Sequence, residues 1–490
     1  MNPFILAIDQ GTTGTRAILF DRSGRLTAQA YQEIHQHFPK PGWVEHDPAE
    51  LWGSTLRVIG RCIAQARIGS NAIAAIGITN QRETAILWDR ATGRPVHRAI
   101  VWQDRRTSEM CRKLKHQERD VRRITGLVLD PYFSGTKIAW LLRHQSAVGR
   151  AAKAGRLAFG TVDSWLLWKL TGGRVHATDA TNASRTLLYD LAAGAWSKPM
   201  LRLFGIPASL LPDVHPSSYL FGKTVAGGSL PAGIPITGIA GDQQAALFGQ
   251  GCVKPGQAKN TYGTGCFLLM QTGQRLIHSK NGLITTVASD AQGKPSFALE
   301  GSVFIAGAVV QWLRDGLKII RHASETEVVA RSVPDSAGLY VVPAFVGLGA
   351  PYWRPEARGL ICGLTRGAGR AHLVRAALES IAYQSQELVQ AMEKDSKIRL
   401  RSLQVDGGAV KNNFLLQFQA DLSGVPVIRP KIIETTALGA AQLAGIGVGL
   451  WSQKDLARMR GVDRILRPRW NSTRRAAAMI GWQKAVQRAL

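Results

Sequence analysis

Apolar residues come in short runs separated by polar turns, and the same order of runs appears in both halves of the chain. Residues 4–8 and 17–20 are β-like runs flanking the turn Asp9-Gln10-Gly11-Thr12-Thr13-Gly14-Thr15-Arg16. Residues 257–261 and 266–270 flank Tyr262-Gly263-Thr264-Gly265 in the same way. A tight Gly/Thr hairpin exposes N–H groups and hydroxyls, the donors a polyphosphate needs. Two such hairpins predict two similar domains gripping one nucleotide from both sides.

The pattern continues with a strand at 26–31 and a helix from Asp47, where Asp47 can cap, Pro48 suits the first position and Glu50 has capping-box spacing. Leu51, Thr55, Val58, Ile59, Cys62 and Ile63 mark its inner face. Strands are expected at 73–79, 84–89 and 235–239, then a helix from 243 to 248. After Gly251 the order restarts. Long helices are expected at 304–320 and 370–394, a strand at 401–405 ending in Asp406-Gly407-Gly408, and a helix at 412–422. The chain therefore divides into an N-terminal domain, 1–250, and a C-terminal domain, 251–490. No low-complexity linker separates them, so they are joined closely.

Composition changes this picture little. The 490 residues are 45% apolar and 19% charged, ordinary for a globular protein. No run reaches the roughly 18 apolar residues of a membrane span. The nearest, 436–451, is rich in Gly and Ala and broken by Gln442. The N-terminus enters a strand pattern directly, so no signal peptide is expected. Five cysteines without C-x-x-C pairing favour free thiols in a reducing, cytoplasmic compartment. Charge is unusual: 61 Lys and Arg against 34 Asp and Glu give a net of +27. The arginines are spread along the chain and no nucleic-acid motif accompanies them. A solvated basic surface that attracts anionic substrates such as MgATP is expected, and no specific nucleic-acid partner.

Several positions carry candidate chemistry. In the first loop, Gly11 and Gly14 permit close backbone approach, Thr12 and Thr13 can donate to phosphate, Arg16 can add a charged contact, and Asp9 can hold Mg²⁺ through water. Gly222-Lys223-Thr224 is not a P-loop, because Ser217 stands where the first Gly is needed. Gly445, Gly447 and Gly449 have the wrong spacing for a dinucleotide site and read as close helix packing. Arg82 and Glu83 follow a strand end and can meet vicinal hydroxyls, or form a surface ion pair. Asp242 follows another strand end, where a carboxylate is either a general base or a helix N-cap. Gly307 and Gln311 share a helix face, and Gly408 and Asn412 flank a strand-to-helix turn. A glycine on each could leave a flat slot for a purine, or simply allow close packing.

Together these segments resemble the glycerol kinase family, in the superfamily of carbohydrate kinases with the actin-like ATPase fold. The match runs nearly end to end. It includes Thr79-Asn80-Gln81-Arg82-Glu83-Thr84, Val101-Trp102-Gln103-Asp104-Arg105-Arg106-Thr107, Pro131-Tyr132-Phe133-Ser134-Gly135-Thr136-Lys137 and Gly238-Ile239-Ala240-Gly241-Asp242-Gln243-Gln244. Thr261-Tyr262-Gly263-Thr264-Gly265-Cys266-Phe267, Gly347-Leu348-Gly349-Ala350-Pro351-Tyr352-Trp353 and Asp406-Gly407-Gly408-Ala409-Val410 extend it. The resemblance implies an α/β fold of two actin-like, ribonuclease H-like domains around a catalytic cleft, and ATP-dependent phosphorylation of glycerol with Mg²⁺. A kinase for another small polyol or ketose is the alternative, and the bulk of Trp102 and Phe267 argues against it.

The resemblance also implies roles. Arg82, Glu83, Tyr132, Gln243 and Asp242 would meet the glycerol hydroxyls, Trp102 and Phe267 its carbon backbone, with Asp242 as base. Thr12, Thr13, Gly14, Arg16 and Thr264 would meet the phosphates. Gly307, Gln311, Gly408 and Asn412 would hold the nucleoside, and Asp9 and Asp242 are the candidate metal residues. A homodimer or tetramer is implied as well. Three departures stand out. The first loop commonly reads Thr-Thr-Ser-Ser in the family, and Gly14-Thr15 replaces the serines here, removing a hydroxyl contact. Ser218-Tyr219-Leu220-Phe221 lacks the histidine phosphorylated in some relatives, and Pro231-Ala232-Gly233 lacks the arginine of a fructose 1,6-bisphosphate loop. Both controls are expected to be absent.

Overall fold

The first hairpin forms because its alternation suits a strand pair buried on both faces. In the computed structural model, which describes residues 3–289, 294–354 and 356–490, β1 (Phe4–Gln10) and β2 (Gly14–Phe20) pair antiparallel and β3 (Leu26–Glu33) continues the meander. Leu6, Ile8, Ala17 and Leu19 pack with the buried face of α1 (Pro48–Ala66). Ile5, Ala7, Ile18 and Phe20 form the opposite face. The strands Ile73–Asn80 and Pro235–Gly241 add in parallel on the other side of β1, and Ser218–Lys223 closes that edge antiparallel. Such a sheet, covered on both sides, reads as nearly continuous apolar runs.

Helix α1 follows its expected signals with one change. Asp47 caps it by accepting from the Ala49 N–H at 2.8 Å, and the six expected inner residues are buried. Glu50 does not complete a capping box. Its carboxylate accepts from the His35 N–H at 2.9 Å and ties the helix to the segment after β3.

The second sheet repeats the plan. Gln257–Tyr262 and Cys266–Gly273 form a hairpin that Phe297–Val303 and Ile284–Val287 extend antiparallel. Ser402–Asp406 adds in parallel to Gln257–Tyr262, followed by Val427–Pro430 in parallel and Val462–Leu466 antiparallel. The sheets have six and seven strands. In each, the opening strand has an antiparallel meander on one side and parallel strands on the other. The helix Arg370–Ser396 packs in the core of the second sheet. This is the two-domain α/β architecture implied by the sequence.

The expected helix at 304–320 is shorter. Gly307–Gln311 is α-helical, and Trp312–Gly316 widens into a π-helical turn closed by the Leu317 N–H on the Trp312 carbonyl at 2.9 Å. The Trp312 ring lies against Gly316, where a Cβ would come within 2.8 Å. Lys318 then adopts a positive φ of 55° and ends the run.

The Gly/Ala-rich run near 436–451 is the helix Thr435–Gly447, and it returns to the first sheet. Ala437, Ala441 and Ala444 pack with Ile5, Ala7 and Ile18. The approach is backbone to backbone: a Cβ on Gly77 would lie 2.3 Å from the Ala440 carbonyl oxygen, and one on Gly439 1.9 Å from that of Ala245. Gly445 instead makes room for the Trp451 ring, and Gly447 for the Thr237 side chain and carbonyl. Among the described residues no helix is long and apolar enough to cross a membrane.

Candidate active site

The parallel strands of the first sheet end together, and their ends carry the chemistry. Asp9 on β1 lies opposite Thr79 on one side and Arg16 on the other, and Arg16 lies opposite Tyr31. Arg16 makes a close ion pair with Glu434, the residue before the helix Thr435–Gly447, and its guanidinium stands 5.5 Å from the Tyr31 ring centroid. Burial pushes the Asp9 carboxyl up to about 7; Arg16 opposes this, while Asp242 and Glu434 reinforce it. Among the described residues none hydrogen-bonds the Asp9 carboxylate.

The loop hydroxyls divide between the two faces. Thr15 points to the α1 face, where its hydroxyl meets Ser54 at 2.6 Å and Gln10 at 2.9 Å. Thr13 is exposed at the turn. The Thr12 hydroxyl accepts from the Trp102 indole at 2.8 Å. Gly14 is buried beneath Tyr31.

Asp242 opens the helix Asp242–Gly249 at the end of Pro235–Gly241. One carboxylate oxygen accepts from the Gln243 N–H at 2.7 Å and lies 3.1 Å from Arg82 Nε; the other accepts from the Gln243 amide at 3.2 Å. Its side chain remains 30% exposed. Gly241, not Asp242, holds the N-cap position, so the helix-cap alternative does not hold and the carboxylate stays open.

Arg82 and Glu83 are not a surface ion pair. Arg82 donates to both Glu300 oxygens, at 2.7 and 2.9 Å, and to Gln244 at 3.1 Å. Glu83, held at a positive φ of 63°, accepts from Arg185 at 2.6 Å, and Arg185 also reaches Glu300 at 3.2 Å. Burial alone would raise the Glu300 carboxyl, but Arg185 and Arg82 outweigh it and hold Glu300 at about 2. Burial does prevail at Glu83 and pushes it upward against the same two arginines. Three of the five Arg82 N–H groups are hydrogen-bonded and Nε–H faces Asp242, so one on Nη2 has no partner among the described residues.

Neither Glu300 nor Arg185 was identified from sequence. Glu300 had a signal: it is a charge inside the apolar strand Phe297–Val303, and a fully buried charge requires a partner. Lys259 was missed too. Its buried ammonium donates closely to the Gln243 side chain and to Thr261 at 2.8 Å, so it orients Gln243 from the second half of the chain.

Two aromatic residues adjoin these groups, Trp102 through Thr12 and Tyr132 through Arg185. Trp102 and Tyr132 meet edge-on with centroids 5.5 Å apart. The segment around Tyr132 is held by the Lys137 ammonium, which donates to the carbonyls of Pro131, Tyr132 and Phe133 at 2.7, 2.5 and 3.2 Å. Phe267 sits half-buried in the second hairpin, opposite Thr261 and Ser302. No ring contact joins it to Trp102 or Tyr132 among the described residues.

The second hairpin is supported from behind. Gly307 donates to the Gly263 carbonyl at 2.9 Å, and a Cβ on Gly307 would approach that oxygen to 2.6 Å. The Thr264 carbonyl accepts from Ala306 and Ala308, leaving the Thr264 side chain exposed. Gln311 is exposed at the end of the same helix. Asn412 caps the helix Asn413–Ser423 through Leu415 at 3.0 Å and donates to Thr326 at 3.1 Å. Gly408 is exposed, and a Cβ there would meet nothing within 4 Å.

Comparison with known proteins gives the chain's family. Residues 4–249 match the FGGY family of carbohydrate kinases, N-terminal domain, and 258–448 match its C-terminal domain. The chain is 57% identical to a glycerol kinase of Carboxydothermus hydrogenoformans over 489 residues, 99% of this chain and 98% of the relative. It is 56% identical to a glycerol kinase of Deinococcus radiodurans over 488 residues, 99% and 97% of the two chains. The crystal structure of Plasmodium falciparum glycerol kinase with ADP superposes with a TM-score of 0.95 at 38% identity, over 100% of this chain and 98% of that one. With both family halves in order and more than half its residues shared with such relatives from end to end, the chain belongs to the FGGY family of carbohydrate kinases and, within it, to the glycerol kinases.

Proposed function

We propose that the protein transfers the γ-phosphoryl group of ATP to glycerol, giving sn-glycerol 3-phosphate and ADP. The observation that carries the mechanism is Asp242: a carboxylate at a strand end, oriented by Gln243 and Arg82 yet open to a substrate hydroxyl. Asp242 takes the proton of the attacking hydroxyl as that oxygen approaches phosphorus in line with the leaving ADP oxygen. The free N–H of Arg82, with Glu83, Tyr132 and Gln243, binds the glycerol hydroxyls. Trp102 and Phe267 cover its carbon backbone and exclude water, which would otherwise compete as acceptor.

Thr12, Thr13, Gly14 and Arg16 bind the phosphates from the first domain and Thr264 from the second. Gly307, Gln311, Gly408 and Asn412 hold the nucleoside, with the open space over Gly408 as the floor of the slot. Residues 1–250 thus serve glycerol and phosphate, and 251–490 chiefly the nucleotide. Asp9 and Asp242 suit a magnesium ion: both are carboxylates at ends of the same sheet, and Asp9 takes no hydrogen bond from the described residues. When bound, Mg²⁺ neutralises charge on the transferred group. The protein is read as a cytoplasmic dimer or tetramer; its five unpaired thiols support a reducing compartment.

The test is ADP release from MgATP with glycerol, dihydroxyacetone, D-xylulose, L-ribulose and no acceptor. Turnover with glycerol alone is the expected result. Preference for a ketose would overturn the substrate, and hydrolysis unaffected by any acceptor would overturn the kinase reading.

A further inference from the structure

We infer that Tyr31, on a strand outside the first loop, is a phosphate-binding residue of the nucleotide site, its phenol standing in for a side chain at position 14. The inference rests on the kinase reading above.

β2 and β3 place Tyr31 opposite Arg16, and Gly14 lies two residues along β2 on the same face. The phenol reaches diagonally over Gly14. A Cβ built on Gly14 would lie 2.4 Å from the Tyr31 hydroxyl oxygen and 2.5 Å from Cε2 and Cζ. The end of the phenol therefore occupies the volume that a side chain at 14 would fill.

The hydroxyl has no hydrogen-bond partner among the described residues, and the residue is 43% exposed, so a ligand can reach it. The guanidinium of Arg16, itself anchored by Glu434, stands over the ring and limits its movement. Thr15 cannot supply a hydroxyl on this face, because it is turned to Ser54 and Gln10. Among the described residues on the face bearing Asp9 and Arg16, Thr79 also carries a hydroxyl but is fully buried, so Tyr31 adds an accessible neutral donor beside those of Thr12 and Thr13 in the turn. A neutral O–H meeting an anionic phosphate oxygen makes a charge-assisted hydrogen bond. A ring serving only to cover the sheet edge would owe nothing to its hydroxyl.

Tyr31→Phe keeps the ring and removes the hydroxyl. The expected result is a rise of about tenfold in KM for MgATP and in Kd for a magnesium complex of a non-hydrolysable ATP analogue, read by calorimetry. KM for glycerol and Tm should hold. Tyr31→Ala vacates the space, and the double variant Tyr31→Ala/Gly14→Ser places a hydroxyl in it. The double variant should recover most of the affinity that Tyr31→Ala loses. Wild-type KM and Kd in Tyr31→Phe overturn the inference, as does a loss in Tyr31→Ala that Tyr31→Phe does not share, since the ring would then be the contact. Should the wild-type protein fail to phosphorylate glycerol, the kinase reading fails separately, and the analogue Kd still decides Tyr31.

Discussion

Arg82 and Glu300 meet through two parallel hydrogen bonds, 2.7 and 2.9 Å long, although 218 residues separate them and they lie on the two sides of the cleft. Arg185 and Glu83 complete a buried network around the pair. The residue expected to hold glycerol is thus set in place by a carboxylate from the second half of the chain.

Removing one partner of a buried pair leaves an uncompensated charge. Glu300→Gln should cost about 3 kcal/mol of stability and raise KM for glycerol, because Arg82 loses its two-point anchor. The Glu300 carboxyl is held at about 2, below its ordinary 4.5. Its contribution to stability is therefore complete above pH 4.5 and is lost as pH falls towards 2. Tm against pH should show a shallower acid limb in the variant than in the wild type. Parallel limbs would refute the assignment.

Asp242→Asn preserves the shape of the side chain and removes its basicity. The variant should keep a wild-type Tm and lose roughly 10²–10⁴-fold in kcat. ADP release with saturating glycerol reads this, and near-wild-type turnover would strip Asp242 of its role as base.

Gly408→Leu places an apolar side chain where a Cβ meets only open space. Folding should be unaffected and Tm unchanged. If the purine lies there, KM for MgATP should rise at least about tenfold while KM for glycerol holds. An unchanged KM for MgATP would move the purine elsewhere.

Gly439→Ala tests the returning helix. Its Cβ would lie 1.9 Å from the Ala245 carbonyl oxygen, backbone that cannot yield cheaply. Overpacking of this kind costs about 1–3 kcal/mol. The displaced helix carries Glu434 with it, so KM for MgATP should rise through Arg16. Thermal unfolding and kinetics on the same preparation test both effects, and a wild-type Tm would show that the helix is free to shift.

Much of the candidate site was readable because the contacts proposed for phosphate are local. A strand, a Gly/Thr turn and a second strand put Thr12, Thr13 and Arg16 within a few residues of one another, and hydrophobic alternation alone locates the turn. Asp242 was readable for a similar reason, lying where an apolar strand passes into a helix. That Gly241 takes the cap position and leaves the Asp242 carboxylate open was not, since sequence alone does not separate a cap from a base at a strand-to-helix junction.

Alternation by itself determined that the chain builds two sheets, each opened by a hairpin, because a period of two is fixed by backbone geometry and needs no distant contact. Tertiary structure alone decided which groups meet. Glu300 finds Arg82 and Arg185 across 218 and 115 residues, Glu434 finds Arg16 across 418, and Lys259 finds Gln243 from the strand that follows its helix. It also decided that the Gly/Ala run 435–447 returns to the first sheet, where glycines on both surfaces let two backbones touch. Such pairings minimise the cost of burying charge and backbone at a closed interface, and that cost exists only once the two halves are packed together.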